Sequence, residues 1–279
     1  MNIFGIDFED WYHPKLVQNH LGNQKKNPMV INGIDKILDL LRKNYTYATF
    51  FVVGELLEFK PEILDKILAG GHEIGFHTMY HTGLDFPSYR EQFDAELKTF
   101  NKLTSGKSRG FRAPTFSLNF STAWAIDTLE ANNYIYDSSI IPIKSYMYGI
   151  PNGELGPYKI KSDSIDKNNN DGKIFEFPLL TTSLFGKRIP AAGGFYVRTL
   201  PIKWMFNAIG NYEKNRIPAT MYIHSWELVP EFMPKMSLPF KGMFITYHNI
   251  KKAFPRMDLI LKKFKFTSFT RYISKMNTN

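Results

Sequence analysis

Short apolar runs alternate with helix-length amphipathic segments along most of this chain, and that alternation most constrains its fold. Asn2–Ile6 reads as a buried strand. Ile34, Ile37, Leu38 and Leu41 recur at helical spacing, and Ala48–Val53 is a Phe- and Val-rich strand. Pro61 opens a helix through Ile63, Leu64, Ile67 and Leu68, which Gly70-Gly71 ends with a left-handed cap. Ile74–Phe76 is a strand. Ser88 and Glu91 form a capping box for a helix reaching about Leu103. Gly110–Arg112, Tyr134–Tyr136, Ile174–Phe177 and Thr220–Ile223 are further strands; 122–132, 202–212 and 250–263 are helices. Repeated strand–helix units imply parallel strands with right-handed crossovers. Seven or so such units predict an α/β fold, a distorted (β/α)7 TIM-like barrel, with a doubly wound open sheet as the rival.

The polar residues favour the barrel. Asp7, His77, Arg112, Asp137 and His224 all fall at carboxyl ends of predicted strands. In a barrel those ends surround one mouth, so residues far apart in sequence meet there. The 279 residues suit a single domain of this kind, with residues 138–200 as an insertion shaping the substrate side.

Three carboxylates sit in the run Asp7-Phe-Glu-Asp10. If the strand continues, Asp7 and Glu9 share a face and Asp10 lies opposite. Asp7 closes an apolar strand, so it needs a partner, either a metal ion or an arginine. His77 and His81, four residues apart, would stack on one face of a helical turn, the spacing of a metal clip. One core and one surface histidine is the plain alternative. Pro114 holds the segment before it extended, which would give Arg112 a fixed direction suited to bidentate clamping of a carboxylate. His224 ends a strand beside Trp226, a setting for a general acid or base or for a satisfied core histidine. His72 beside Gly71 reads as structural, and His13, His20 and His248 read as surface or supporting positions.

Composition narrows the rest. There is no cysteine, which excludes disulfides, thiolate ligands and cysteine nucleophiles. Lys and Arg exceed Asp and Glu by nine, which favours anionic partners. Part of that excess, Lys251-Lys252, Lys262-Lys263, Lys265 and Arg271, alternates with apolar residues as on the wet face of a helix. No nucleic-acid module accompanies it, so no nucleic-acid partner is expected. No apolar run approaches the ~20 residues that span a bilayer, and the start lacks a signal-peptide pattern. The expectation is a cytoplasmic protein without a transmembrane segment.

Together these residues resemble a family. Asp7-Phe-Glu-Asp10, His77-Thr-Met-Tyr-His81, Arg112-Ala-Pro114 and His224 follow the order of the polysaccharide deacetylases, carbohydrate esterase family 4. Ala48-Thr-Phe-Phe51 and Gly71-His-Glu-Ile-Gly-Phe-His77 look like its metal-site strands. Tyr136-Asp-Ser-Ser139, Tyr148-Gly-Ile-Pro151, Pro190-Ala-Ala-Gly-Gly-Phe-Tyr196 and His224-Ser-Trp-Glu227 look like a subgroup associated with exopolysaccharide or surface-glycan synthesis. The resemblance implies one divalent metal, with zinc the first choice, removing an N-acetyl group from an amino sugar. In that scheme Asp7 is the base, Arg112 orients it, and His224 is the acid. His77 and His81 are metal ligands, and Thr115 lends a backbone N–H to the oxyanion. The family commonly has two adjacent aspartates, whereas here Phe8 and Glu9 intervene. Asp10 is preferred as third ligand because that ligand is usually aspartate, with Glu9 the alternative. Tyr148, Tyr196, Arg198 and Trp226 are expected to contact the substrate, an N-acetylated sugar in polymeric, acidic or lipid-linked form. A two-carboxylate glycosidase using Asp7 and Glu227, a non-sugar amidase and a metal-free glycan binder are the competing readings.

Overall fold

The computed structural model describes residues 1–144, 149–151, 153–184 and 186–276. Eleven strands are assigned among them: β1 Asn2–Phe8, β2 Thr49–Val52, β3 Glu73–Phe76, β4 Gly110–Phe111, β5 Tyr136–Asp137, β6 Tyr158–Ile160, β7 Ile174–Glu176, β8 Thr181–Leu184, β9 Lys187–Pro190, β10 Thr220–His224 and β11 Phe266–Thr267. The main sheet runs β10-β1-β2-β3-β4-β5-β7-β6, with β11 also pairing β1. Every pairing from β10 through β7 is parallel, and only β6 runs antiparallel to its neighbour. These seven parallel strands curl into a distorted (β/α)7 barrel. The seam beyond β7 is closed by a single parallel bridge, Leu179 to Thr220. Such a sheet is buried on both faces, so its strands are near-continuous apolar runs instead of alternating ones. Every residue of β1 and β2 is buried accordingly.

The helices pack outside. Ile34, Ile37, Leu40 and Leu41 form the inner stripe of the helix Ile34–Lys43; Ile34, Ile37 and Leu41 are as their spacing predicts, while Leu38 is only half-buried and Leu40 joins the core instead. Glu62–Ala69 follows Pro61, and Gly71, at φ 74°, makes the left-handed turn that stops it. One expected local signal is not used. Ser88 precedes the helix Tyr89–Leu103 but sits at φ 61° with no side-chain cap bond, so the capping box does not form.

The segment carrying the histidine pair also departs from expectation. His77 follows directly on β3, but 77–81 is not a helical turn. Thr78 (φ 58°) and His81 (φ 57°) both lie in the left-handed region. That irregular turn, not helical stacking, brings the two rings to 5.0 Å between centroids. Left-handed conformations in non-glycine residues cost of order 1–3 kcal/mol each and gather where geometry is imposed for function.

Candidate active site

Strands β1, β3, β4 and β10 end at one cleft of about 550 Å³. Its wall includes Asp7, Glu9, His77, His81, Thr115, His224 and Trp226. Because β1 continues through Phe8, Asp7 and Glu9 project to the same side, while Phe8 turns into the core.

Glu9, His77 and His81 form the potential cation site among the described residues, their ligand atoms all within 4.8 Å of one another. All three are buried. Nδ1 of His77 lies 2.7 Å from the Arg112 carbonyl. A proton on Nδ1 donates to that carbonyl and leaves the Nε2 lone pair facing the cleft. Burial holds the His77 ring at a pKa of about 4, so it is neutral. Burial alone would raise the Glu9 carboxyl, but the charges of His81 and His224 outweigh it and hold Glu9 well below the usual carboxylate range. Oε2 of Glu9 lies 2.8 Å from His81 Nε2 yet accepts no hydrogen bond. A fully buried carboxylate oxygen without a hydrogen-bond partner, facing two imidazole nitrogens, is a donor set that suits a divalent cation. The residues therefore fit the metal the resemblance implies.

Asp10, expected as the third ligand, points elsewhere. Its Oδ1 accepts from the Trp11 amide (2.9 Å) and its Oδ2 from the Ile31 amide (3.2 Å), at the start of the 3₁₀ turn Val30–Gly33. Its own N–H donates to Nδ1 of His13 (2.7 Å), whose Nε2 meets Glu55 at 2.6 Å. Asp10 lies past the end of β1, and these backbone amides hold it away from the cation site. The structure places Glu9, the alternative, in the cation site.

Arg112 is fully buried and donates Nη1–H to Asp7 Oδ1 at 2.7 Å. Its remaining bonds go to Ser138, Nε–H to the carbonyl and Nη2–H to Oγ, both at 2.8 Å. The clamp on Asp7 is thus single, not bidentate. Glycine at position 5 is required here, since a Cβ would lie 2.8 Å from Arg112 Nη1. Thr115 lines the cleft at φ 54°, and its N–H has no backbone acceptor among the described residues.

Asp137, expected at the mouth, is instead buried behind this clamp. It accepts from the Oγ of Ser139, which in turn accepts from the Ala113 amide. Beside it lies Glu176, whose Oε2 accepts no hydrogen bond. Burial and the Asp137 charge push the Glu176 carboxyl well up, so it keeps its proton and shares it with Asp137.

On the far side, His224 is held by groups the sequence reading left out or cast otherwise. Its Nδ1 meets Glu227 Oε2 at 2.8 Å, its ring stacks on Trp226 at 5.1 Å, and its Nε2 stands 3.7 Å from Glu9 Oε1. Burial opposes charge on this imidazole, but Glu9 and Glu227 prevail and raise it to about 9. Trp226 donates Nε1–H to Glu9 Oε1 at 2.8 Å, so it braces both the cation site and His224. Gly194 makes room for Glu227, since a Cβ there would lie 1.8 Å from its Oε2.

Two of the expected substrate contacts have other surroundings than expected, although Arg198 does border the cleft. Arg198 is 1% exposed and spends its guanidinium on protein. Nε–H goes to Glu227 (2.8 Å), Nη1–H to the His248 carbonyl and Nη2–H to the Ile245 carbonyl. Tyr196 does not line the main cleft; it faces a separate cavity of about 70 Å³ with Phe116, Ile141 and Tyr222. Its neighbour Phe195 lines the main cleft instead. Tyr148 lies outside the described residues.

With this geometry in hand, comparison with known proteins is informative. Residues 29–133 match the polysaccharide deacetylase family, and residues 138–274 match a domain of unknown function (DUF3473). The main sheet runs through both regions. Curated relatives include a peptidoglycan-N-acetylmuramic acid deacetylase of Bacillus subtilis, 26% identical over 43% of this chain and 58% of its own length. A peptidoglycan-N-acetylglucosamine deacetylase of Bacillus cereus is 32% identical over 34% of this chain and 40% of its length. The chain thus spans about three-fifths of the first relative and two-fifths of the second. A solved structure of a putative polysaccharide deacetylase from Mycobacterium smegmatis superposes with a TM-score of 0.58 at 15% identity, covering 99% of this chain and 90% of that one. At that identity the likeness speaks for the fold alone. The family model thus covers residues 29–133, and the curated relatives that match this chain are named as sugar deacetylases.

Proposed function

We propose that this chain is a metal-dependent hydrolase that removes the acetyl group from an N-acetylated amino sugar of a surface-glycan or exopolysaccharide precursor. The observation that carries the reading is the convergence, in one cleft, of the Glu9–His77–His81 site, the Arg112-bound Asp7 and the Glu227-bound His224. Neither a two-carboxylate glycosidase nor a metal-free glycan binder uses all three; a non-sugar amidase would, and the choice of substrate separates it.

A divalent cation held by Glu9, His77 and His81, with zinc the first choice for such a set, would lower the pKa of a water and polarise the acetyl carbonyl. Asp7 takes the proton of the attacking water, and the Arg112 N–H on its Oδ1 leaves Oδ2 for that task. The Thr115 N–H, in the cleft wall, faces the developing oxyanion. His224 protonates the leaving nitrogen, because an amide anion is far too poor a leaving group. Glu227 holds the imidazole in the orientation that presents Nε2 to the cleft. Trp226 and Phe195 are walls against which a sugar face can pack.

The test is acetate release from N-acetylated oligosaccharides, lipid-linked sugars and sugar nucleotides, with metal content measured on the same protein. Asp7→Asn, His77→Ala and His224→Ala should each lose activity by at least ~100-fold while remaining folded. Full activity in any one of them, or turnover unaffected by a chelator, overturns the reading.

A further inference from the structure

One helix beside the cleft carries an exposed apolar stripe and lies in a segment without carboxylates. Along the helix Phe240–Tyr247, residues Phe240, Met243 and Phe244 form an outward stripe at i, i+3 and i+4, exposed by 87%, 39% and 45%. The opposite side of that helix is seated, with Gly242 and Thr246 buried. Ile245 and Thr246 line the cleft, and Phe244 stacks edge-on at 6.1 Å against Phe195, which lines it too. Pro14, Lys15 and Leu16 line the cleft from another element, the helix Lys15–Gln18, which packs on Phe240–Tyr247.

The charge around this stripe is one-sided. Residues 11–34 contain Lys15, Lys25 and Lys26 and no Asp or Glu. Residues 232–257 contain Lys235, Lys241, Lys251, Lys252 and Arg256, again without a carboxylate. These eight cations stand against a net charge of +9 for the whole chain. All seven lysines are exposed, and none forms a salt bridge among the described residues. An exposed Phe-Met-Phe stripe on a helix that carries Lys241 and packs on the helix of Lys15, within segments that hold lysines and no carboxylate, matches an anionic lipid surface, which offers acyl chains to the stripe and headgroup charge to the lysines.

We propose that this face docks on an anionic bilayer, with Phe240, Met243 and Phe244 entering the interface and the cleft mouth held at headgroup level. The docking stands apart from the chemistry proposed above, because neither Phe240 nor Met243 lines the cleft.

Co-sedimentation of the full chain with vesicles tests it. The protein should pellet with vesicles of phosphatidylcholine mixed with phosphatidylglycerol, release with added salt, and stay in solution with phosphatidylcholine alone. The double substitution Phe240→Ser, Met243→Ser should lower partitioning by at least about tenfold. Lys241→Glu shifts the charge by two and should lower it about 25-fold, at about fivefold per charge. Acetate release from a soluble chitooligosaccharide should be unchanged in both variants, which separates a failure of docking from a failure of the catalytic reading. Equal binding to both vesicle types, no binding to either, or full binding by the serine variant overturns the proposal. So does wild-type self-association that the serine substitutions abolish, since a second copy would then cover the face.

Discussion

Arg198→Met is the substitution that most sharply separates two roles for one residue. As a substrate contact, Arg198 would be dispensable to the fold, and its loss would raise KM. The structure instead buries it and gives it three bonds, to Glu227 and to the carbonyls of His248 and Ile245. Methionine keeps much of the volume but removes the charge. Glu227 then stays buried with only the His224 imidazole to oppose it, and two carbonyls lose their donor. Breaking a buried ion pair from one side costs about 3–5 kcal/mol. Two orphaned neutral carbonyls would add about 1 kcal/mol or more each if water did not reach them. The expected loss in urea unfolding is therefore about 3–5 kcal/mol, toward the upper end if the site stays dry. Glu227 also orients His224, so kcat should fall by more than tenfold while KM changes little. Arg198→Lys should recover only part of both, because an ammonium cannot reproduce three divergent N–H directions. A variant with unchanged stability and a raised KM would refute this positioning role and restore the substrate-contact reading.

Two further outcomes follow from the same geometry. Glu9→Gln should abolish both stoichiometric metal binding and acetate release, whereas Asp10→Ala should keep its metal and lose about 1–3 kcal/mol of stability, read by elemental analysis and urea unfolding; the reverse pattern would return Asp10 to the ligand set. His72 is buried against Ala48, accepting its amide at 3.3 Å, and burial, with Arg271 nearby, lowers its pKa to about 4. Its folded pKa lies below the ordinary 6.5, so the unfolded chain binds the extra proton first, and stability drains as pH falls from 6.5 toward 4. By pH 5 the loss from this residue is about 2 kcal/mol. His72→Asn, which keeps an acceptor near the Ala48 amide, should flatten the stability profile between pH 7 and 5; an unchanged slope would show that His72 does not carry it.

Much of the barrel was legible because its signals are local and repeated. A buried parallel strand must be apolar throughout and an outer helix must be striped, so β1, β2, β3 and β10 appear at close to their observed bounds. Polar residues at strand ends are conspicuous against such runs. That is why Asp7, His77, Arg112 and His224 could be gathered at one mouth before any coordinates. Asp137 shows the limit of the rule. A two-residue strand fixes where a side chain starts but not which side of the sheet it takes, and the buried proton sharing with Glu176 gives it a stable place behind the clamp. The distant partners of Glu227 and Arg112 were illegible for a related reason. Arg198 and Ser138 matter through distances set by separate elements, which no sequence period encodes, whereas Glu227 meets His224 locally, three residues on, as the N3 residue of a capping box.

The choice between Glu9 and Asp10 is a different case, because strand periodicity and the family resemblance point to different carboxylates. A continued strand would place Glu9 beside Asp7 and turn Asp10 away; the structure reaches the same outcome by a turn, with the Glu9 N–H donating to the Asp7 carbonyl at 3.1 Å and Asp10 held by the Trp11 and Ile31 amides. Preference for aspartate as ligand rests on a frame with two adjacent acids. Inserting Phe8 and Glu9 changes which side each carboxylate faces. Glutamate's extra methylene does not disturb the argument, since Trp226 fixes one of its oxygens at 2.8 Å and leaves the other beside His81. In this chain, then, the path of the backbone after β1 sets which carboxylate faces the histidine pair, and residue type sets only how far it reaches.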